Sequence, residues 1–144
     1  MGKVSIVYWS GTGNTEAMAD AMAEGAKDAG AEVELLTVDK ADAAVLSEAK
    51  AFALGCPAMG AEVLEEGEME PFMAELDSQI AGKTIALFGS YGWGGGEWMR
   101  DWESRVVSDG AAVLSGEGII ADNAPDDDVL AECRAAGAKL AALV

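Results

Sequence analysis

The sequence predicts an α/β fold, a doubly wound five-stranded parallel sheet with helices on both faces. Apolar runs of strand length alternate with segments of helical periodicity along the chain. Glycine-rich stretches follow the first, third and fourth of these runs. In open parallel sheets, ligands bind beyond the carboxyl ends of the strands. A chain of 144 residues suits one domain of this kind, so we expect residues 1–144 to form a single domain.

The first half of the chain alternates strands and helices. Residues 4–9 form an almost continuous apolar run, typical of a strand buried on both faces. Residues 17–29 carry small apolar residues on one face and charges on the other, which predicts an amphipathic helix that ends near Gly30. The next predicted elements are a strand at 33–38, a short helix at 42–49 and a strand at 51–55.

The second half continues the alternation. Its predicted elements are a helix at 70–78, a strand at 84–89, a helix at 97–108 and a strand within 111–120. Pro71 fits the first turn of its helix, where a missing N–H is harmless. Gly116 and Gly118 predict an irregular fifth strand. Pro125 and the acids at 126–128 mark the start of a last helix, because acidic side chains favour a helix N-terminus.

Composition excludes several classes of function. The net charge is −17, with 26 acids and 9 bases, which argues against nucleic-acid binding and favours steering toward basic partners. Halophilic adaptation would give the same bias. The absence of histidine removes Ser-His-Asp sites and the usual zinc ligand sets. Cys56 and Cys133 form no CxxC motif, so we expect two buried thiols. Without a membrane-length apolar run or a secretory leader, we expect a cytoplasmic protein and no membrane partner.

The loop at residues 10–15, of sequence SGTGNT, is the first candidate site. It is no P-loop, because no lysine occurs between Lys3 and Lys27, and no dinucleotide fingerprint, because the third glycine position is Glu16. Hydroxyls and backbone N–H groups at a helix N-terminus suit a phosphate monoester. An ordinary capped turn is the alternative. Trp9, just before the loop, fits either a core or a site role.

Two further loops carry unusual side chains. Met59 and Gly60 precede the acceptor Glu62; Met59 suits packing on an aromatic ring, although plain core filling explains it as well. Tyr91 and Trp93 lie between glycines, where little local chain is present to bury them. A flat ligand or a partner surface is therefore expected near Trp93.

Together these loops carry a family resemblance. Residues 10–15, residues 55–60 with Glu62, and residues 89–94 resemble the FMN loops of short-chain, clostridial-type flavodoxins, and the similarity runs essentially the whole length of the chain. The resemblance implies strand order 2-1-3-4-5 and a non-covalently bound FMN. It implies a monomeric, low-potential one-electron carrier, not an enzyme, that uses the semiquinone/hydroquinone couple between reductases and low-potential acceptors.

The resemblance also implies the residues that bind FMN. They are Ser10, Gly11, Thr12, Gly13, Asn14 and Thr15 at the phosphate; Pro57, Ala58, Met59, Gly60, Ala61 and Glu62 in the second loop; Ser90, Tyr91, Gly92, Trp93 and Gly94 in the third; and Asn123 at the ribityl chain. Met59 and Trp93 would enclose the flavin ring, and Glu62 would accept from flavin N3. The Gly60–Ala61 peptide would flip on reduction. Some relatives have serine at the position of Pro57 and aspartate at that of Ala61.

Charge around the three loops predicts the redox potential of the bound flavin ring. No Lys or Arg occurs in 4–26, 51–82 or 84–99. The same spans carry six glutamates that we expect near the ring, namely Glu62, Glu65, Glu66, Glu68, Glu70 and Glu97. Together they would oppose an added negative charge by about 2 kcal/mol. We therefore expect a low potential for the second electron that rises with ionic strength.

Two other functions compete with electron carriage. An NAD(P)H:quinone or FMN reductase on the same fold needs room for a second ligand over the ring, whereas Met59 and Trp93 are expected to cover both faces. A receiver-type signalling domain needs acids after the first strand and a phosphoacceptor aspartate after the third. Residues 10–12 and 56–57 do not match that pattern.

Overall fold

A parallel β-sheet forms the centre of the protein in the computed structural model, which describes residues 2–59 and 63–144. Its strands are β1 (Lys3–Tyr8), β2 (Glu32–Thr37), β3 (Ala51–Gly55), β4 (Thr84–Tyr91), β5 (Ala112–Val113) and β6 (Ile119–Asp122). They lie in the order β2-β1-β3-β4-β5, and β6 also pairs with β4. The predicted order 2-1-3-4-5 is thus confirmed.

The fifth strand consists of two segments rather than one. Both β5 and β6 pair with β4, at its start and its end respectively, and the chain leaves the sheet between them. A side chain at Gly118 would lie 2.3 Å from the Met99 sulfur, and the Glu103 carboxylate accepts the Gly118 N–H at 2.6 Å. The irregularity predicted around Gly116 and Gly118 is confirmed, and its cause is this close contact with the helix that carries Met99 and Glu103.

Helices cover both faces of the sheet. They are α1 (Asn14–Asp28), α2 (Ala43–Leu46), α3 (Met69–Leu76), α4 (Glu97–Ser108) and α5 (Asp127–Ala141). The core residues of α1 and α5 form one cluster and those of α2, α3 and α4 another. Cys56 and Cys133 belong to different clusters and are free, buried thiols, as predicted. Among the described residues no helix is long and apolar enough to cross a membrane.

Helices α1 and α5 pack so closely that each presents a glycine to the other. A Cβ at Gly25 would lie 1.9 Å from the Arg134 carbonyl oxygen, and a Cβ at Gly137 would lie 2.0 Å from the Met22 carbonyl oxygen. Both distances are far below van der Waals contact, so only glycine fits at either position. This packing holds α1, and with it the loop at its N-terminus, against the sheet.

An arginine joins α3 to α4. The Arg105 guanidinium donates to both Asp77 carboxylate oxygens at 2.8–3.2 Å and to Glu70 Oε1 at 2.8 Å. The Asp109 carboxyl lies beside Asp77, and a proton held between the two carboxylates would hydrogen-bond them. Burial, together with the Asp77 carboxylate, raises the pKa of Asp109 to about 6 from its ordinary value of 3.8. At low pH Asp109 therefore holds a proton that it can donate to Asp77.

This carboxyl pair predicts a pH dependence of stability. Because the folded-state pKa of Asp109 is raised, its stabilising contribution is complete below pH 3.8 and is lost as pH rises through about 6. Asp109→Asn keeps a donor to Asp77 at every pH, so we expect this variant to gain stability over the wild type above pH 6 and not at pH 4. Urea denaturation at several pH values measures the difference. Glu75→Gln, on the exposed side of α3, should show no step near pH 6, and an equally flat Asp109→Asn difference would contradict the prediction.

Candidate functional site

The carboxyl ends of β1, β3 and β4 open into a cleft of about 350 Å³. This volume lies in the usual range for small-molecule sites. The residues that line it come from the three predicted loops and two further positions: Trp9, Gly11, Thr12, Asn14, Pro57, Ala58, Met59, Ser90, Tyr91, Gly92, Trp93 and Asn123. The convergence expected from the strand order therefore takes place at one edge of the sheet.

The first loop presents weakly bonded donors at the start of α1. Gly13, with φ +94°, is the N-cap residue. Ser10 Oγ accepts the N–H groups of Gly13 and Glu16 at 3.2 and 3.3 Å, and Thr12 Oγ1 accepts the Asn14 N–H at 3.5 Å. Bonds of this length are weak. An anion at this helix N-terminus would therefore gain N–H donors without breaking strong internal bonds.

Two side-chain contacts, one part-buried and one buried, fix the surroundings of this loop. The Tyr8 hydroxyl donates to the Glu16 carboxylate at 3.1 Å, and burial together with Glu16 raises the pKa of Tyr8 to about 12. Thr15 is fully buried, with its hydroxyl 3.5 Å from Ser90 Oγ and 3.4 Å from the Ser90 nitrogen. Thr15 thereby connects the first loop to the third.

A pair of backbone bonds closes the second loop. Met59 and Val63 each donate to the other's carbonyl oxygen at 2.9 Å, in an antiparallel bridge. The predicted site residues Gly60, Ala61 and Glu62 lie outside the described residues. The predictions for the Gly60–Ala61 peptide and for the Glu62 acceptor consequently remain predictions.

The segment at 63–68 is held by a glutamate that caps α3. The Glu65 carboxylate accepts the N–H groups of Gly67 and Glu68 at 2.7 Å and that of Met69 at 3.0 Å. Although burial opposes ionisation, these bonds lower the pKa of Glu65. The Glu65 N–H itself donates to Cys56 Sγ at 3.4 Å. The Glu65 carboxylate is thus hydrogen-bonded to the backbone of its own loop.

An exposed tryptophan lies in the third loop, and a buried one lies at the start of α4. Trp98 is buried, donates its indole N–H to the Cys56 carbonyl oxygen at 3.0 Å and lies 5.5 Å from Tyr91 between ring centroids, so it belongs to the core. Trp93, by contrast, lines the cleft and is 54% exposed. The indole of Trp93 is therefore available to a flat ligand.

Asn123 joins the cleft from the end of the split fifth strand. Its backbone adopts a left-handed conformation, with φ 60°, and its N–H donates to the Tyr91 carbonyl oxygen at 2.7 Å. A Cβ on Gly92 would lie 3.2 Å from Asn123 Oδ1, so the amide stands directly against the third loop. Asn123 thereby extends the cleft wall beyond the three loops.

The structure brings most, but not all, of the predicted residues to the cleft wall. Ser10, Gly13, Thr15 and Gly94 do not line it; the first three support the loop that does. Sequence reasoning left Trp9 undecided, whereas the structure places it in the cleft wall with its indole N–H donating to Glu68 at 3.1 Å. The position of Trp9, directly between a buried strand and the glycine-rich loop, was the available signal.

Charge pairing reduces the acidic field that the sequence predicts. Arg105 pairs with Glu70, and Arg100 pairs with Glu97 while donating to the Gly95 carbonyl oxygen at 2.9 Å. A cation therefore stands at the base of the third loop, just outside the span without Lys or Arg. Among the described glutamates of the predicted six, those without a basic partner are Glu65, Glu66 and Glu68.

The cleft fits the FMN molecule that the resemblance implies. One end presents N–H groups at a helix N-terminus, which suits a phosphate. The remainder offers Met59, Tyr91 and the half-exposed indole of Trp93 to a flat aromatic ring. Ser90 and Asn123 add polar groups to the lining.

Comparison with known proteins relates this chain to flavodoxins. The flavodoxin family model matches residues 6–137. The flavodoxin of Clostridium beijerinckii is 48% identical over 124 residues, which cover 86% of this chain and 89% of that protein. The flavodoxin of Megasphaera elsdenii is 47% identical over 135 residues, covering 92% and 98%. The solution structure of the two-electron reduced M. elsdenii protein superposes with a TM-score of 0.86 at 45% identity, over 94% of this chain and 98% of that one.

Proposed function

Because the chain belongs to the flavodoxin family of FMN-binding electron-transfer proteins, we propose that the cleft between its three loops holds one non-covalent FMN and serves low-potential one-electron transfer. The observation that carries the assignment of the site is the pairing, within one cleft, of an open helix N-terminus with a half-exposed tryptophan. When bound, FMN supplies one-electron redox chemistry, which the side chains of the cleft lack.

The first loop would hold the phosphate. Thr12 and Asn14 line the cleft, and Ser10 and the backbone of Gly11 and Gly13 support the same end. Since 4–26 contains no Lys or Arg, the first loop would meet the phosphate charge with hydroxyls, backbone N–H groups and the helix dipole. Thr15 would act through its contacts with Ser90, which fix α1 against the third loop.

The second and third loops would enclose the ring. Met59 and Trp93 would lie against its faces, with Tyr91 and the Gly92 backbone at its edge and Asn123 toward the ribityl chain. Pro57 and Ala58 complete the wall. Glu62 would accept from flavin N3, and Gly60 and Ala61 would supply the adjoining peptide. With both faces covered, little room remains for a second ligand, which disfavours the reductase alternative.

The same proposal covers the partners, the location and the oligomeric state of the protein. The electron-transfer partners would present basic surfaces to the acidic cleft rim, since a net charge of −17 steers cationic surfaces toward this molecule. We propose that the protein is a cytoplasmic monomer and that residues 1–144 form one domain, in which both core clusters share a single sheet.

A spectroelectrochemical titration of the FMN-loaded protein tests the proposed function. We expect two separate one-electron steps, with the second at the lower potential. Incubation with NADPH alone should leave the flavin oxidised. A single two-electron step accompanied by rapid NADPH oxidation would instead identify a reductase.

The acidic rim predicts the salt dependence of the second step. At about 12 Å and an effective dielectric constant of about 60, one carboxylate opposes an added electron by roughly 0.5 kcal/mol, or about 20 mV. We expect the second potential to rise with ionic strength and Glu66→Gln to raise it by about 20 mV at low salt. Glu48→Gln is the control. Glu48 lies just before the start of β3, whereas the cleft lies beyond the carboxyl end of that strand. A second potential that does not respond to salt would refute this electrostatic account.

A further inference from the structure

Trp9 lies where the first and second loops meet. It follows β1 and lines the cleft. Its six-membered ring covers Gly11, because a Cβ there would lie 3.1 Å from Trp9 Cη2. On the other side its Nε1–H donates to Glu68 Oε1 at 3.1 Å, across 59 positions of sequence. The Trp9 side chain therefore contacts the first loop, which is the phosphate-end loop of the proposed site, and the segment before α3 at the same time.

Glu68 belongs to a segment that is held by hydrogen bonds of its own. The Glu65 carboxylate bonds three consecutive N–H groups, including that of Glu68 at 2.7 Å. The same segment begins at Val63, which is bridged to Met59 by two backbone bonds. The short backbone segment from Val63 to Glu68, held by the Glu65 carboxylate, therefore links Glu68 to the bridge.

We propose that Trp9 is a positioning residue that couples the phosphate-end loop to the Met59–Val63 bridge through its bond to Glu68. With the proposed phosphate in place, Gly11 and Trp9 are fixed, Glu68 is held, and the bridge beside the ring opens less often. The inference rests on the proposed function, because it assigns the first loop to the phosphate. It adds a connection between the two ends of the ligand site.

Four variants separate the hydrogen bond from charge and packing. Trp9→Phe removes the indole donor and keeps an aromatic ring. Glu68→Met removes the acceptor, while Glu68→Gln keeps an acceptor oxygen and loses only the charge. Glu66→Gln loses the same charge on a neighbouring exposed residue. Thermal unfolding of all four checks that each variant is folded.

Amide hydrogen exchange at Met59 and Val63, measured by NMR with FMN and then with riboflavin bound, tests the coupling. In the wild type we expect about fivefold faster exchange with riboflavin, which lacks the phosphate, since losing one net hydrogen bond changes an opening equilibrium by about that factor. In Trp9→Phe and Glu68→Met, the Met59 and Val63 amides should exchange at the same rate with FMN bound as with riboflavin bound. Glu68→Gln and Glu66→Gln should keep the wild-type ratio.

The outcomes distinguish this inference from the proposed function. If exchange remained about fivefold faster with riboflavin than with FMN in Trp9→Phe and Glu68→Met, the coupling would be overturned. FMN binding itself would still stand. Loss of the ratio in Glu66→Gln would overturn it too, because charge rather than the hydrogen bond would then be responsible. Failure of the wild type to bind FMN would instead refute the proposed function.

Discussion

Gly137→Ala is expected to lower the free energy of unfolding by about 3 kcal/mol, at the upper end of overpacking effects. The added Cβ would lie 2.0 Å from the Met22 carbonyl oxygen and 2.8 Å from the Ala26 nitrogen, both backbone atoms of α1. Backbone cannot rotate away as a side chain would, so the two helices must separate. Alanine's higher helix propensity, worth about 1 kcal/mol, offsets only part of this.

Urea denaturation of Gly137→Ala and of its counterpart Gly25→Ala measures the effect. Gly95→Ala is the matched control, because a Cβ there meets its nearest atom, in the Arg100 side chain, at 3.8 Å, an ordinary contact. We expect Gly95→Ala to remain within about 0.5 kcal/mol of the wild type. Wild-type stability in both helix variants would mean that α1 and α5 do not pack as described.

Trp93→Ala is expected to weaken FMN binding about 30-fold or more. The Trp93 indole lines the cleft, and the residue is 54% exposed. A flavin ring stacked on the indole would therefore bury apolar surface that is exposed to solvent in the protein alone. Burial and stacking of this kind contribute roughly 2 kcal/mol. Folding should be little affected, because the exposed side chain contributes little to the core.

Flavin fluorescence titration measures this loss of affinity. Trp93→Phe should recover most of it, because the variant keeps an aromatic face. Val107→Ala, at a residue 58% exposed near the far end of α4, should bind FMN like the wild type. An unchanged dissociation constant for Trp93→Ala would show that the ring does not lie on this indole.

The sequence predicted the architecture well where periodicity is strong. The strand order, the boundaries of α4 and the start of α5 after Pro125 agree with the structure, because runs of buried or amphipathic residues dictate them. The division of the fifth strand was predicted only as an irregularity. Its cause is a tertiary contact of Gly118 with Met99 and Glu103, which no local pattern reveals.

The candidate site was predictable to a similar degree. The family resemblance implied the residues that line the cleft apart from Trp9, including Asn123 beyond the irregular strand. What sequence could not provide was pairing between distant side chains. Trp9 bonds Glu68, Arg105 neutralises Glu70, and Thr15 turns inward to Ser90. Each partner lies 35 to 75 positions away, so only the folded chain brings them together.

Comparison of FMN with riboflavin binding tests the central claim most directly, because the two ligands differ only by the phosphate assigned to the N-terminus of α1. Calorimetric titration of the apoprotein should give one FMN per chain and a riboflavin affinity at least about 100-fold weaker, as expected from several charge-assisted hydrogen bonds. Inorganic phosphate should compete with FMN and not with riboflavin. Equal affinity for FMN and riboflavin would contradict the account.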